Sequence, residues 1–280
     1  MYLDLTGRTA LITGAGRGIG RAIARKLAAA GASVMLNDLD PEPAQETKAL
    51  VEQDGKESVR VLSGDITELG FPEKLVDSTL SEFGTIDIVV NNAGYTWDSA
   101  IHKTTDDQFQ AMLDIHVVAP FRVLRAASAW LRETAKREIR EGRRMMRKVV
   151  NITSVSAVDG ISGQSGYGSG KAAVIGLTKV LAKEWGSLNV NVNAVAYGFI
   201  QTRLTQPRGK EDGEIEIKGR NVKLGIESAL MGIMKEQTPL GRLGSAEDAA
   251  GPVIFFCSPL SDYVSGEVLV CSGGSRMPVR

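Results

Sequence analysis

Short apolar runs alternate with amphipathic stretches along the whole chain. Thr9–Thr13, Ser33–Asp38, Val59–Ser63, Ile86–Asn91, Val149–Ile152, Val190–Val195 and Glu267–Cys271 are brief and rich in β-branched or apolar residues. Most are continuous rather than strictly alternating, the pattern of strands covered on both faces. Between them, Ile19–Ala30, Glu73–Phe83, Asp106–Leu131 and Tyr167–Trp185 repeat apolar positions at helical spacing. Strand and helix in turn predict an α/β fold, a doubly wound, mostly parallel sheet flanked by helices. No internal repeat or low-complexity linker divides the chain, so one domain over residues 1–280 is expected.

Two segments interrupt this rhythm. Arg132–Lys148 carries eight basic residues against three acidic ones before the fifth strand. It reads as a solvated helical extension; a docking patch for nucleic acid or an acidic carrier is the competing reading. The sheet's N-terminal edge, where it falls, is not where ligands bind. Gln206–Glu236 contains two alternating runs around Gly219 and Arg220, which predicts a small hairpin before another helix. Its place after the sixth strand predicts a substrate lid at about 203–236, against the plainer reading of a surface decoration.

Composition narrows the classes. Apolar residues make up 43% of 280, enough for a substantial core. Lys+Arg and Asp+Glu both number 33, so net charge gives no support for a nucleic-acid partner. Cys257 and Cys271 lack a ligand-spacing motif and read as reduced thiols, not a metal site. No run reaches the length of a membrane span and the first residues show no signal-peptide pattern, so a soluble cytoplasmic protein is expected.

The candidate chemistry begins after the first strand. Thr13-Gly14-Ala15-Gly16-Arg17-Gly18-Ile19-Gly20 follows a strand and opens a helix, the context in which glycines admit a pyrophosphate at a helix N-terminus. Asp38 ends the second strand, eighteen residues after Gly20, where a carboxylate reads ribose hydroxyls and repels a 2′-phosphate. That favours NAD over NADP; a turn or helix cap before Pro41 is the bland reading of Asp38. Arg17 pulls the other way, since a guanidinium in the loop can pair with a 2′-phosphate. Further on, Tyr167 and Lys171 stand four residues apart, on one helix face, with Ser154 thirteen residues upstream. An ammonium beside the phenol predicts a pKa drawn down from about 10, suited to proton exchange with an alcohol or ketone. Alone, such a pair usually marks an exposed helix face.

Taken together, these residues resemble the short-chain dehydrogenase/reductase family over nearly the whole chain. The shared motifs are Thr13–Gly20, Asp65 after the third strand, Asn91-Asn-Ala-Gly94 after the fourth, Ser154, and Tyr167-x-x-x-Lys171. The resemblance implies a single-domain, Rossmann-type, seven-stranded sheet. It implies that Gly14, Arg17, Gly18, Ile19, Gly20 and Asp38 hold the adenosine half and pyrophosphate of the dinucleotide, with Asp65 and Ile66 bordering adenine. Asn92 would line the cleft, Lys171 would bind the nicotinamide ribose, and Ile200 and Thr202 would contact the nicotinamide end. Asn91-Asn-Ala-Gly94 has an equally good structural reading, as amides pinning neighbouring strands. Tyr167 would carry the proton at the substrate oxygen and Ser154 would hydrogen-bond it. A homotetramer or homodimer is implied by the same analogy.

Two positions depart from the family pattern. His116 stands where an asparagine is usual; it is either a relay to the lysine, with its own pH dependence, or a packed side chain. Ala196-Tyr197-Gly198 replaces the usual Pro-Gly, and Tyr197 either contacts nicotinamide or substrate or packs under the lid. Trp97, Gln164, Tyr197 and Phe199 are the substrate-facing candidates. The pattern is closest to 3-oxoacyl reductases and 3-hydroxyacyl-CoA dehydrogenases, which implies a small alcohol or ketone, carried as a CoA or carrier-protein thioester. An NADPH-dependent 3-oxoacyl carrier-protein reductase is the rival within enzymes. A catalytically weak dinucleotide-binding scaffold or sensor is the rival from another class.

Overall fold

The chain begins with β1 (Thr9–Thr13), α1 (Gly18–Ala29), β2 (Ser33–Asn37), α2 (Pro41–Gln53), β3 (Val59–Val61) and α3 (Phe71–Phe83). Then come β4 (Ile88–Asn91), α4 (Asp106–Leu113), α5 (Ala119–Arg140), β5 (Arg147–Ser154), α6 (Ser165–Trp185) and β6 (Val190–Tyr197). Last are β7 (Glu214–Ile217), β8 (Arg220–Lys223), α7 (Ser228–Glu236), α8 (Ala246–Cys257) and β9 (Val268–Cys271). This computed structural model describes residues 3–55, 58–206, 214–217, 220–223, 225 and 228–275.

Seven strands form one parallel sheet in the order β3-β2-β1-β4-β5-β6-β9. All seven fall on the expected apolar runs. Alternate residues of each strand feed opposite faces: Ala10 and Ile12 join a core with α1 and α8, whereas Leu11 joins one with α3, α5 and α6. Strand order reverses between β1 and β4, which opens a crevice beyond their carboxyl ends.

The expected single helix over Asp106–Leu131 is broken. A π-helical turn at Asp114–Val118 separates α4 from α5, with the Ala119 N–H donating to the Asp114 carbonyl. Pro120 has no N–H to offer the His116 carbonyl four residues back, so the regular ladder cannot pass this point. The apolar periodicity continues through the break, which is why it predicts one helix.

The basic segment also corrects an expectation. Its first part does extend α5 to Arg140, but β5 starts at Arg147, and Arg147 (2% exposed), Lys148 and Glu138 are buried. Arg147 donates to both carboxylate oxygens of Glu138, at 2.7 and 2.9 Å, and its Nε lies 3.6 Å from Asp87. Lys148 Nζ donates to Asn191, Ser261 and Asp262. Arg147 and Lys148 are therefore interior ties, whereas the basic residues from Arg132 through Arg144 are exposed as expected.

The expected hairpin is present, β7 pairing antiparallel with β8. Within the expected lid, residues 207–213, 218–219, 224 and 226–227 lie outside the described residues. Cys257 and Cys271 are both free thiols. Among the described residues no helix is long and apolar enough to cross a membrane.

Candidate active site

The carboxyl ends of the sheet strands border one cleft of about 790 Å³. It is lined from Gly14, Arg17, Gly18, Ile19, Gly20 and Asp38 at one end to Ser154, Tyr167 and Lys171 at the other. Asp65, Ile66, Asn92, Ile200 and Thr202 lie along it, as do Trp97, Gln164 and Phe199. Residues as far apart in sequence as Gly14 and Thr202 thus line one cleft, because the parallel topology returns every strand end to the same edge.

The glycine loop is built by close backbone approach. A Cβ on Gly14 would lie 2.8 Å from Ala93 Cα, and one on Gly20 would lie 2.0 Å from the Gly14 carbonyl oxygen. Gly14 and Gly18 also take positive φ, 64° and 50°. Asn92 Nδ2 donates to the Thr13 and Gly14 carbonyls at 3.0 and 2.8 Å, while its N–H and that of Ala93 donate to Thr13 Oγ1. The amide of Asn92 is therefore committed to holding the loop, and Asn91 Nδ2 ties β4 to β5 through Asn151 at 2.8 Å. Thr13 was not singled out from sequence, although its hydroxyl joins the two motifs; a buried threonine at a strand end carries no periodic signal. The first turn of α1 faces the cleft with N–H groups that, like those of every helix start, lack intrahelical acceptors. A dinucleotide pyrophosphate fits this cradle in shape and charge.

At the end expected to take adenosine, Asp38 Oδ2 accepts from the Gly16 N–H at 2.7 Å. Arg17 Nη1 lies 3.4 Å from Asp40. Beside the expected adenine position, Asp65 Oδ1 accepts from the N–H and hydroxyl of Thr67, and Ile66 is buried.

At the other end, β5 delivers Ser154 and α6 delivers Tyr167 and Lys171. Lys171 is 5% exposed; its Nζ donates to the Ile152 carbonyl at 2.8 Å and lies 5.7 Å from the centre of the Tyr167 ring. Here the electrostatics differ from expectation. Burial pushes the Tyr167 phenol up to about 12, against a hydrogen bond from Ser154 and with added repulsion from Asp98. Burial also pulls Lys171 down to about 7. Desolvation outweighs the attraction because the lysine is turned toward a backbone carbonyl rather than the phenol oxygen. That shift favours the protonated phenol at neutral pH.

His116 is buried and borders the cleft. The π-turn sets its ring edge-on to Tyr167, centroids 5.0 Å apart. Nε2 sits 2.8 Å from the Tyr95 carbonyl, which fixes the tautomer with the proton on Nε2. Burial and the neighbouring Lys171 hold its pKa well below the ordinary value. The ring fills space left by two glycines: a Cβ on Gly94 would lie 2.5 Å from His116 Cε1, and one on Gly170 3.0 Å from His116 Cβ. Accordingly, the pH–rate profiles of wild type and His116→Gln should superimpose after scaling between about pH 5 and 8. A limb in that range that vanishes in the variant would restore the relay.

Tyr197 is a second correction. Its phenol is 5% exposed and donates to the Ala249 carbonyl of α8 at 2.7 Å. The residue borders the cleft, but its hydroxyl points into the core and cannot meet a substrate. Gln164 remains on the cleft wall, with Nε2 donating to Asp98 at 2.8 Å. Asp98 had no motif around it in the sequence.

Comparison with known proteins agrees with this geometry. A family model described as enoyl-(acyl carrier protein) reductase matches residues 14–276. The 3-oxoacyl-(acyl-carrier-protein) reductase FabG of Aquifex aeolicus is 38% identical over 98% of this chain and 99% of its own length. The 2-dehydro-3-deoxy-D-gluconate 5-dehydrogenase of Bacillus subtilis is 33% identical over 97% of this chain and 95% of its own. A short-chain type dehydrogenase/reductase from Mycobacterium marinum superimposes with a TM-score of 0.84 at 27% identity, covering 99% of this chain and 98% of that one. With a glycine cradle, a serine, a tyrosine and a lysine on one cleft and relatives matching end to end, the chain belongs to the short-chain dehydrogenase/reductase family and is an oxidoreductase.

Proposed function

We propose that this chain is an NAD-preferring oxidoreductase that interconverts a 3-oxoacyl and a 3-hydroxyacyl thioester, with Tyr167 as acid and base at the substrate oxygen. The observation that carries it is the placement of Ser154, Tyr167 and Lys171 at one end of the cleft whose other end is walled by the glycine loop and Asp38. Full-length similarity to a 3-oxoacyl-(acyl-carrier-protein) reductase supports the thioester. The carboxylate of Asp38 supports NAD, since a carboxylate at that position can accept hydrogen bonds from ribose hydroxyls and would repel a 2′-phosphate.

The nicotinamide, when bound, supplies or accepts the hydride. The remaining work falls to side chains. Tyr167 meets a ketone still protonated, its phenol pushed up to about 12, and gives that proton to the oxygen as charge develops there. Ser154 accepts from the Ser156 N–H at 3.1 Å and donates a long 3.5 Å bond to the Tyr197 carbonyl, which its hydroxyl would exchange for the same substrate oxygen. Lys171, anchored on the Ile152 carbonyl, sits under the tyrosine ring where it can bind the nicotinamide ribose. The protonated phenol is the form that donates to a ketone oxygen, and its phenolate the form that takes the proton from an alcohol. Gln206–Glu236 is proposed as the lid over the substrate, and a homotetramer or homodimer as the assembly.

The rival is an NADPH-dependent 3-oxoacyl carrier-protein reductase, favoured by the guanidinium of Arg17 on the cleft wall. Initial rates with NADH and NADPH, over a panel of 3-oxoacyl thioesters, sugar-acid ketones and cyclic ketones, test both readings. The expected outcome is the highest kcat/KM with a 3-oxoacyl thioester and NADH. A strong NADPH preference that is lost on Arg17→Ala would overturn the cofactor assignment, and a sugar-acid preference would overturn the substrate.

A further inference from the structure

Asp40 occupies the N-cap of α2, where an aspartate ordinarily accepts a hydrogen bond from the first helical turn. Its side chain makes no such bond. The carboxylate instead reaches out of the helix to within 3.4 Å of Arg17 Nη1 in the glycine loop. A residue that forgoes its local role for a distant partner points to a use outside local folding.

The two side chains are brought together by a built path. Asp38 accepts from the Gly16 N–H with one oxygen, at 2.7 Å, and from the Asp40 N–H with the other, at 3.2 Å. In the next peptide, the Gly16 carbonyl accepts from Arg21 Nη2 at 2.6 Å and from the Thr47 hydroxyl at 3.0 Å. A Cβ at position 16 would lie 2.8 Å from Asp38 Oδ2, so only glycine lets the loop close on that carboxylate. One aspartate thus fixes the backbone just before Arg17 and the backbone of Asp40 together. Arg17, Asp38 and Asp40 all line the adenosine end of the cleft.

Arg17 is the loop cation that a 2′-phosphate would need, and it already has a carboxylate partner. A dianion entering here would have to break that pair and lie beside two carboxylates. We propose that Asp40 is a specificity-determining residue: it engages Arg17 and adds a second negative charge beside Asp38, so that the adenosine end rejects a 2′-phosphate. This rests on the NAD-preferring reading of the cleft and gives that preference a second residue. With the two side chains 42% and 47% exposed, the pair contributes little to fold stability, and its effect on ligand choice weakens as salt rises.

Calorimetric binding of adenosine 2′,5′-bisphosphate and adenosine 5′-monophosphate to the whole protein at low salt tests this without turnover. The quantity read is the ratio of the two Kd values. Asp40→Asn should shift the ratio toward the bisphosphate by about tenfold. Asp40→Glu, which retains a carboxylate for Arg17, should keep the wild-type ratio to within about threefold. Arg17→Ala/Asp40→Asn should lose most of the gain, because the freed guanidinium is what binds the phosphate. An unchanged ratio in Asp40→Asn, or an equal gain in the double variant, would overturn the proposal. The NAD-preferring reading fails separately, if the wild-type protein itself binds the bisphosphate more tightly than the monophosphate.

Discussion

Tyr167→Phe is expected to lower kcat for ketone reduction by about 10²–10⁴-fold while dinucleotide affinity stays within a few-fold of wild type. The loss corresponds to about 3–5 kcal/mol of transition-state stabilisation. Its origin is specific. The substituted ring still packs edge-on against His116 and over Lys171, so the walls of the cleft persist. Only the hydroxyl is removed, and with it the one group on this wall that enters protonated and lies within reach of a Ser154 hydrogen bond. Steady-state kinetics paired with dinucleotide titration by fluorescence separate the two effects. A loss of affinity matching the loss of rate would place Tyr167 in cofactor binding instead of proton transfer.

Glu138→Ala is expected to destabilise the fold by about 3–5 kcal/mol, read as a shift of the urea midpoint at unchanged m. Arg147 is 2% exposed, and the variant would strip it of both short contacts to Glu138. Asp87 at 3.6 Å and the face of Trp130 would be left as its company. A buried guanidinium left with Asp87 at that distance and without its two short hydrogen bonds costs more than the pair contributes. Glu138→Leu/Arg147→Met, which removes both charges and keeps apolar volume, should recover most of the loss. A midpoint shift worth less than about 1 kcal/mol in Glu138→Ala would mean that water solvates Arg147 readily.

Much of this architecture was legible because it repeats. All seven sheet strands fall on the expected runs, most of them continuous and apolar, and a parallel sheet covered on both faces produces that pattern without help from distant residues. The glycine loop was equally legible, since its strand–turn–helix context is local. What escaped notice depends on contacts that sequence spacing does not encode. Arg147 reads as one more charge in a basic run, yet it is buried where Glu138 of α5 and Asp87, just before β4, converge on it. The π-turn at His116 hides inside an unbroken apolar stripe and shows only in the missing N–H of Pro120. The pKa of Tyr167 moved opposite to expectation because four-residue spacing places Lys171 beneath the ring but says nothing of which atom its ammonium faces. Tyr197 is similar: its position bordered the cleft as expected, while α8 supplied a carbonyl that turned its hydroxyl inward.

The most direct test of the account is a single-turnover reaction with NADH deuterated at the transferring position of C4 and a 3-oxoacyl thioester. Wild type should yield 3-hydroxyacyl product with deuterium on C3, and Tyr167→Phe, saturated with the same dinucleotide, should yield almost none over the same interval. Unlabelled product from the wild type, or undiminished labelling by Tyr167→Phe, would contradict it.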